Sequence, residues 1–148
     1  MGLFTGIKDA KYSEGGIYFL PGNYLVRVDK AKVGKTRKDV PFFVTETTIL
    51  ESDNPERKRG SSCSWMCMGD KDAFLGNVKN FCAIATEIDD ADVDEAGVEL
   101  IVSEDNPLGG TILRVQATNI KTREGKDFTK VIWKMSTPEE RAPYEKAA

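Results

Sequence analysis

Residues 24–51 read YLVRVDKAKVGKTRKDVPFFVTETTILE, and this stretch decides the fold. Tyr24, Val26 and Val28 alternate with Leu25, Arg27 and Asp29, the period of a half-buried strand running to about Val33. Residues 41–51 are rich in Phe, Val, Thr and Ile and read as a second strand paired with the first. The glycine and cations of residues 34–39 make the turn between them.

The same pattern returns near the other end, where residues 113–133 read LRVQATNIKTREGKDFTKVIW. Lys35-Thr36-Arg37 leads to Phe42, and Lys121-Thr122-Arg123 leads to Phe128 at the same spacing. Each turn lies between strand-like segments, so positive charge and an aromatic ring stand together twice. Such a surface suits a polyanion with flat bases, namely single-stranded nucleic acid. Basic turns are equally ordinary solvated loops, so the repeat does not decide function by itself.

The elements between the hairpins complete the order. Pro21-Gly22 is a turn signal before the first strand, and residues 52–55 (SDNP) break the second. Residues 61–68 form a third strand that contains Trp65. Then the period changes: Phe74, Val78, Phe81, Cys82 and Ala85 recur at helical spacing, with Asp70 or Asp72 as a cap, predicting a helix over residues 72–86. Asp92 followed by Glu95 resembles a capping box and predicts a short acidic helix over residues 93–102. Residues 111–120 and 127–135 are the last two strands. Three strands, a helical insert and two strands is the order of the OB-fold, a mainly β, five-stranded Greek-key barrel. Its nucleic-acid face centres on strands two and three, flanked by the loops between strands one and two and between four and five. The two basic turns occupy those loops. Residues 1–16 are expected as a flexible arm, 17–136 as one OB-fold-like domain, and 137–148 as a mobile tail.

Composition narrows the function classes. At 148 residues and 40% hydrophobic content, the chain has enough material for one packed domain. No run approaches the roughly 18 apolar residues of a membrane span, and no secretory signal pattern is visible, so a cytoplasmic location without membrane contact is expected. Histidine is absent, which removes Ser-His and Cys-His nucleophile pairs and the commonest general base near neutral pH. Gly34-Lys35-Thr36 looks like the end of a phosphate-binding loop, but Asp29 stands where that motif needs glycine. Cys63 and Cys67 lie about 13 Å apart along a strand, too far for one zinc ion. With Cys82 they are expected as buried reduced thiols. No catalytic residue, metal or cofactor is therefore assigned, and enzyme function is not expected.

Charge is segregated. The net charge is −3, yet residues 87–105 hold nine acids and no base, so the remainder carries +6. The cations concentrate in residues 27–38, in Arg57-Lys58-Arg59 and in residues 121–134. Such a distribution fits a phosphate-binding face, and equally a set of separate solvated loops.

Three stretches, YLVRVDKAKVGKTRKDVPFFVTETTILESDNPE, SWMCMGDKDAFLGNVKNF and LRVQATNIKTREGKDFTKVIW, resemble small phage-encoded single-stranded DNA-binding proteins. The likeness spans residues 18–135 and is one of layout. It implies non-catalytic coating of single-stranded DNA during replication or recombination, in the host cytoplasm for a phage protein. Many such proteins end in an acidic tail that recruits partners. Here the tail TPEERAPYEKAA is mixed in charge, which puts tail-mediated recruitment in doubt. The acidic 87–105 region could dock replication or recombination proteins instead, and an edge strand offers a route to a homo-oligomer. Strand parity turns Phe42 and Phe128 outward as stacking rings. Trp65 shares a face with Cys63 and Cys67, and is either core or a base-stacking residue. Arg27, Lys32, Lys35, Arg37, Lys38, Lys121, Arg123, Lys126 and Lys130 are the expected phosphate contacts. Binding should be sequence-tolerant and salt-dependent. The competing reading is a non-catalytic β-barrel structural or interaction module, such as a virion component or an adaptor.

Overall fold

The computed structural model describes residues 18–145; the arm expected over residues 1–16 lies outside them. Strand β1 is Gly22–Lys35, β2 is Pro41–Ser52 and β3 is Ser62–Met68. Helix α1 is Phe74–Thr86 and α2 is Glu95–Ile101, with a short 3-10 turn, Asp90–Asp92, between them. Strand β4 is Ile112–Lys121, β5 is Asp127–Met135, and helix α3 is Pro138–Glu145. The five strands form one antiparallel sheet in the order β3-β2-β1-β4-β5. Three strands, a helical insert and two strands is the order expected from the sequence. Among the described residues no ladder joins the two edges, β3 and β5, so the sheet is open where a barrel would close.

The sheet is nonetheless curled. Flat, its edge strands would stand roughly 19 Å apart at the usual strand spacing. Instead Trp65 of β3 and Trp133 of β5 pack edge-on with ring centroids 5.5 Å apart. Phe81 of α1 sits beneath both, 5.6 Å from Trp65 and 4.8 Å from Trp133, and Phe43 of β2 lies 5.8 Å from Phe81. These rings, with Tyr24, Val26, Val28 and Val115, are the main core. Truncating a ring such as Phe81 would cost about 3–5 kcal/mol.

Strand β1 does not keep one phase. Irregularities fall between Leu25 and Val26 and between Val28 and Lys30, so Tyr24, Val26 and Val28 face the core before Asp29, and Ala31 faces it after. The bulge is tied down: Asp29 accepts from the Thr48 hydroxyl at 2.6 Å, and its carbonyl accepts from the Asn106 side-chain amide at 2.8 Å. Unbroken alternation to Val33, as read from the sequence, is corrected by this phase switch.

The helix starts also differ in detail. The residue before α1 is Ala73, with no side-chain cap, so neither Asp70 nor Asp72 serves. Asp94, not Asp92, caps α2 by accepting from the Gly97 amide at 2.8 Å, while Asp89 caps the 3-10 turn through Ala91. Residues 138–145, expected as part of a mobile tail, form α3. Thr137 and Glu140 make a reciprocal capping box, with Glu140 accepting from the Thr137 amide at 2.9 Å and Thr137 accepting from the Glu140 amide at 3.2 Å. Pro138 then occupies the first helical position, where its missing N–H costs nothing. Tyr144 packs on Leu25, Leu50 and Ile112, giving the outer face of the sheet its own small core. Its hydroxyl donates to Glu51 at 2.8 Å, and the Arg59 guanidinium lies 5.7 Å from its ring. Glu140 also pairs with Arg114.

Candidate nucleic-acid interface

The two basic turns share one construction. In the first, the Thr36 amide donates to the Val40 carbonyl at 2.9 Å and the Asp39 amide to the Thr36 carbonyl at 2.9 Å. In the second, the Thr122 amide donates to Lys126 and the Gly125 amide to Thr122, both at 2.9 Å. Each threonine hydroxyl accepts from the amide that closes its turn, Val40 or Lys126, at 3.2 Å. Asp39 (φ 64°) and Gly125 (φ 79°) supply the left-handed residue before each second strand. The Lys-Thr-Arg repeat is thus a turn signature, with the threonine closing the loop and the cations at its tip.

The rings that follow the turns part ways. Phe42 lies opposite Gly34 in the β1–β2 ladder, and Phe128 lies opposite Ile120 in the β4–β5 ladder. Without a side chain at Gly34, the Phe42 ring settles over that strand; a Cβ there would stand 2.7 Å from Cζ. Phe42 is consequently 4% exposed, which corrects its assignment as an outward stacking ring. Phe128 faces the side-chain-bearing Ile120 instead, and is 54% exposed. Nor do the turns adjoin along the sheet. Gly22 faces Ala117, so the second turn projects beyond the start of β1 and the first lies at its far end.

The cations divide by their partners. Arg27 pairs with Asp29 at 3.3 Å, Lys32 with Glu46 at 3.0 Å, Lys121 with Asp127 at 2.7 Å and Lys126 with Glu124 at 3.6 Å. The three exposed pairs, Arg27–Asp29, Lys121–Asp127 and Lys126–Glu124, hold weakly, while Lys32–Glu46 is half-buried. Lys35, Lys38, Arg123 and Lys130 are exposed and form no ion pair among the described residues. Arg37 is exposed at the first turn.

A groove of about 780 Å³ opens between the two edge strands. Its walls include Trp65 of β3 and Phe128 and Lys130 of β5, bringing together three of the residues singled out from the sequence. Trp65 is half-buried: its ring belongs to the core cluster and its flank reaches the groove. Two further walls were not anticipated. Tyr18, 56% exposed, lies beside β3 through a parallel bridge to Ser64. Arg57 holds it there, donating from Nε to the Tyr18 carbonyl at 2.9 Å. Asn54 fixes the next stretch by donating to the Pro21 carbonyl at 2.8 Å, and the Tyr24 hydroxyl donates to Leu20 at 2.6 Å. Burial is the main reason the Tyr24 phenol is held above its ordinary pKa. The Arg57-Lys58-Arg59 run was visible as charge, but nothing local to it or to Tyr18 signals a groove assembled from distant segments.

None of the three thiols is among the residues that line this groove. Cys63, Cys67 and Cys82 are buried and unpaired, and burial pushes Cys67 up to about 12 and Cys82 to about 11. They remain protonated and poorly nucleophilic at neutral pH. The groove therefore offers flat rings, an apolar floor and cations, a set suited to stacking and charge pairing. No family model matches this chain, and no curated protein matches it.

Proposed function

We propose that this chain is a single-stranded DNA-binding protein of the OB-fold type, of the kind phages encode, which coats DNA without strong sequence preference during replication or recombination. Its action is non-catalytic and needs no cofactor. One observation carries the reading: the groove between β3 and β5 sets the exposed Phe128 and Tyr18 rings and the flank of Trp65 beside Lys130 and Arg57. Rings accept any base by stacking, while the cations neutralise phosphates irrespective of sequence. The strand order and the aromatic contact across the open seam support an OB-type arrangement, which is itself described as partly open. In this reading Lys35, Arg37, Lys38 and Arg123 at the two turns extend the path of the backbone, and Arg27, Lys32, Lys121 and Lys126 exchange their carboxylates for phosphate. Phe42 contributes by supporting the first turn.

Fluorescence anisotropy with labelled oligo-dT and a matched duplex, across a salt series, tests it. Oligo-dT should bind at low salt, bind tighter than the duplex, and weaken steeply as salt rises. Phe128→Ala should cost about 1–3 kcal/mol of that affinity. Absence of binding at low salt, or equal affinity for duplex, would sink the proposal.

A further inference from the structure

A second concavity lies within the acidic insert. It encloses about 190 Å³ and is lined by Cys82, Ile88, Val93, Leu100, Ile101 and Leu108, with Gly97 at its wall and Asp92 and Asp94 at its edge. The lining is almost wholly apolar, and two of its members reach solvent: Ile88 is 45% and Leu100 55% exposed. Large apolar side chains gathered in one concavity at the surface mark an interaction site more often than scattered ones do. Asp92 and Asp94 at its edge belong to a stretch, residues 87–105, that holds nine acids and no base. Asp89 is held below the ordinary carboxyl range chiefly by the Ala91 amide, so it stays charged.

We propose that this pocket docks a lysine- or arginine-bearing peptide segment of a protein partner, which inserts one leucine-sized side chain. Size and charge select this occupant. The cavity accommodates a single branched side chain, and the carboxylate rim attracts cations while repelling nucleic acid and acidic peptides. The apolar anchor supplies affinity, and the rim supplies orientation and on-rate. This inference does not rest on DNA binding, because the pocket and the β3–β5 groove share no lining residue.

The test uses the full chain and two fluorescent nonapeptides of lysine and serine, one with leucine at its centre and one with serine there. The leucine peptide should bind about tenfold or more tighter, the advantage expected from burying one such side chain. Gly97→Leu, which adds bulk at the cavity wall beside the Asp94 cap, and Leu100→Ser, which removes an exposed wall, should each abolish that advantage. Leu75→Ser, at an exposed leucine of α1 outside the pocket, should leave it intact. Equal binding of the two peptides, or an advantage that survives Gly97→Leu, would overturn the proposal. So would concentration-dependent self-association lost in the same two variants, since a second copy would then be the occupant. Oligo-dT affinity measured in parallel separates failure here from failure of the DNA-binding reading.

Discussion

The two hairpin tips share their turn but not their surface. Both close on a threonine, both display cations, and both place a phenylalanine six residues after that threonine. The first buries its ring and the second exposes it, because Gly34 faces Phe42 where Ile120 faces Phe128. A cross-strand neighbour therefore accompanies the difference between a buried and an exposed ring in an identical local motif. Phe42 works for the fold, and Phe128 is available to a ligand.

The largest contrast lies in truncating the two rings. Phe42→Ala should destabilise the protein by about 3–5 kcal/mol, whereas Phe128→Ala should change stability by no more than about 0.5 kcal/mol. Urea unfolding monitored by circular dichroism checks both, and equal losses would break the comparison. Gly34→Val comes next. Its side chain would collide with the Phe42 ring, costing about 1–3 kcal/mol and turning the ring outward, so the first tip would come to look like the second. A crystal structure of the variant with Phe42 still seated would show that the glycine is not what admits the ring.

Thr36→Ala and Thr122→Ala should produce smaller and matching losses, about 0.5–1.5 kcal/mol each, since each removes a hydroxyl closing an equivalent turn. Unequal losses would mean the turns are less alike than their hydrogen bonds. The smallest effect at neutral pH concerns Cys67, which lies opposite Phe43 in the ladder. Its thiol is raised from 9.0 to about 12, so the unfolded chain gives up this proton first as pH rises. Stability from this group should be level below about pH 9 and decline between there and 12. Denaturant titrations at several pH values follow the decline. At pH 8 a thiol reagent should react slowly with the wild type and faster with Gly34→Val, where the first hairpin is loosened.

Much of the fold was legible because strands and helices impose their periods on the sequence. Alternation and β-forming composition located the five strands, and the shift to helical spacing located α1. What escaped depended on events across strands or on a competing signal. The bulge at Asp29 inverts the phase of β1 without any glycine to announce it. Helix α3 was hidden in a polar terminal stretch, with Pro138 and Pro143, expected to be mobile, although Thr137 and Glu140 spelled its capping box. Phe42 followed strand parity correctly and still ended buried, because parity cannot register an empty site on the neighbouring strand. Of the candidate site, Phe128, Lys130 and Trp65 were found from the sequence. Tyr18 and Arg57 were not, since a groove formed by the two ends of a sheet order has no contiguous signature.

The seam between β3 and β5 is bridged by the indoles of Trp65 and Trp133, the two tryptophans of the chain, inclined at 77°. Two chromophores this near couple through their transition dipoles, to a degree set by distance and by relative orientation. That coupling falls off steeply with distance, so a small dilation of the seam changes an optical signal before any hydrogen bond breaks. The protein thus carries a built-in optical gauge across its open seam, readable without a label.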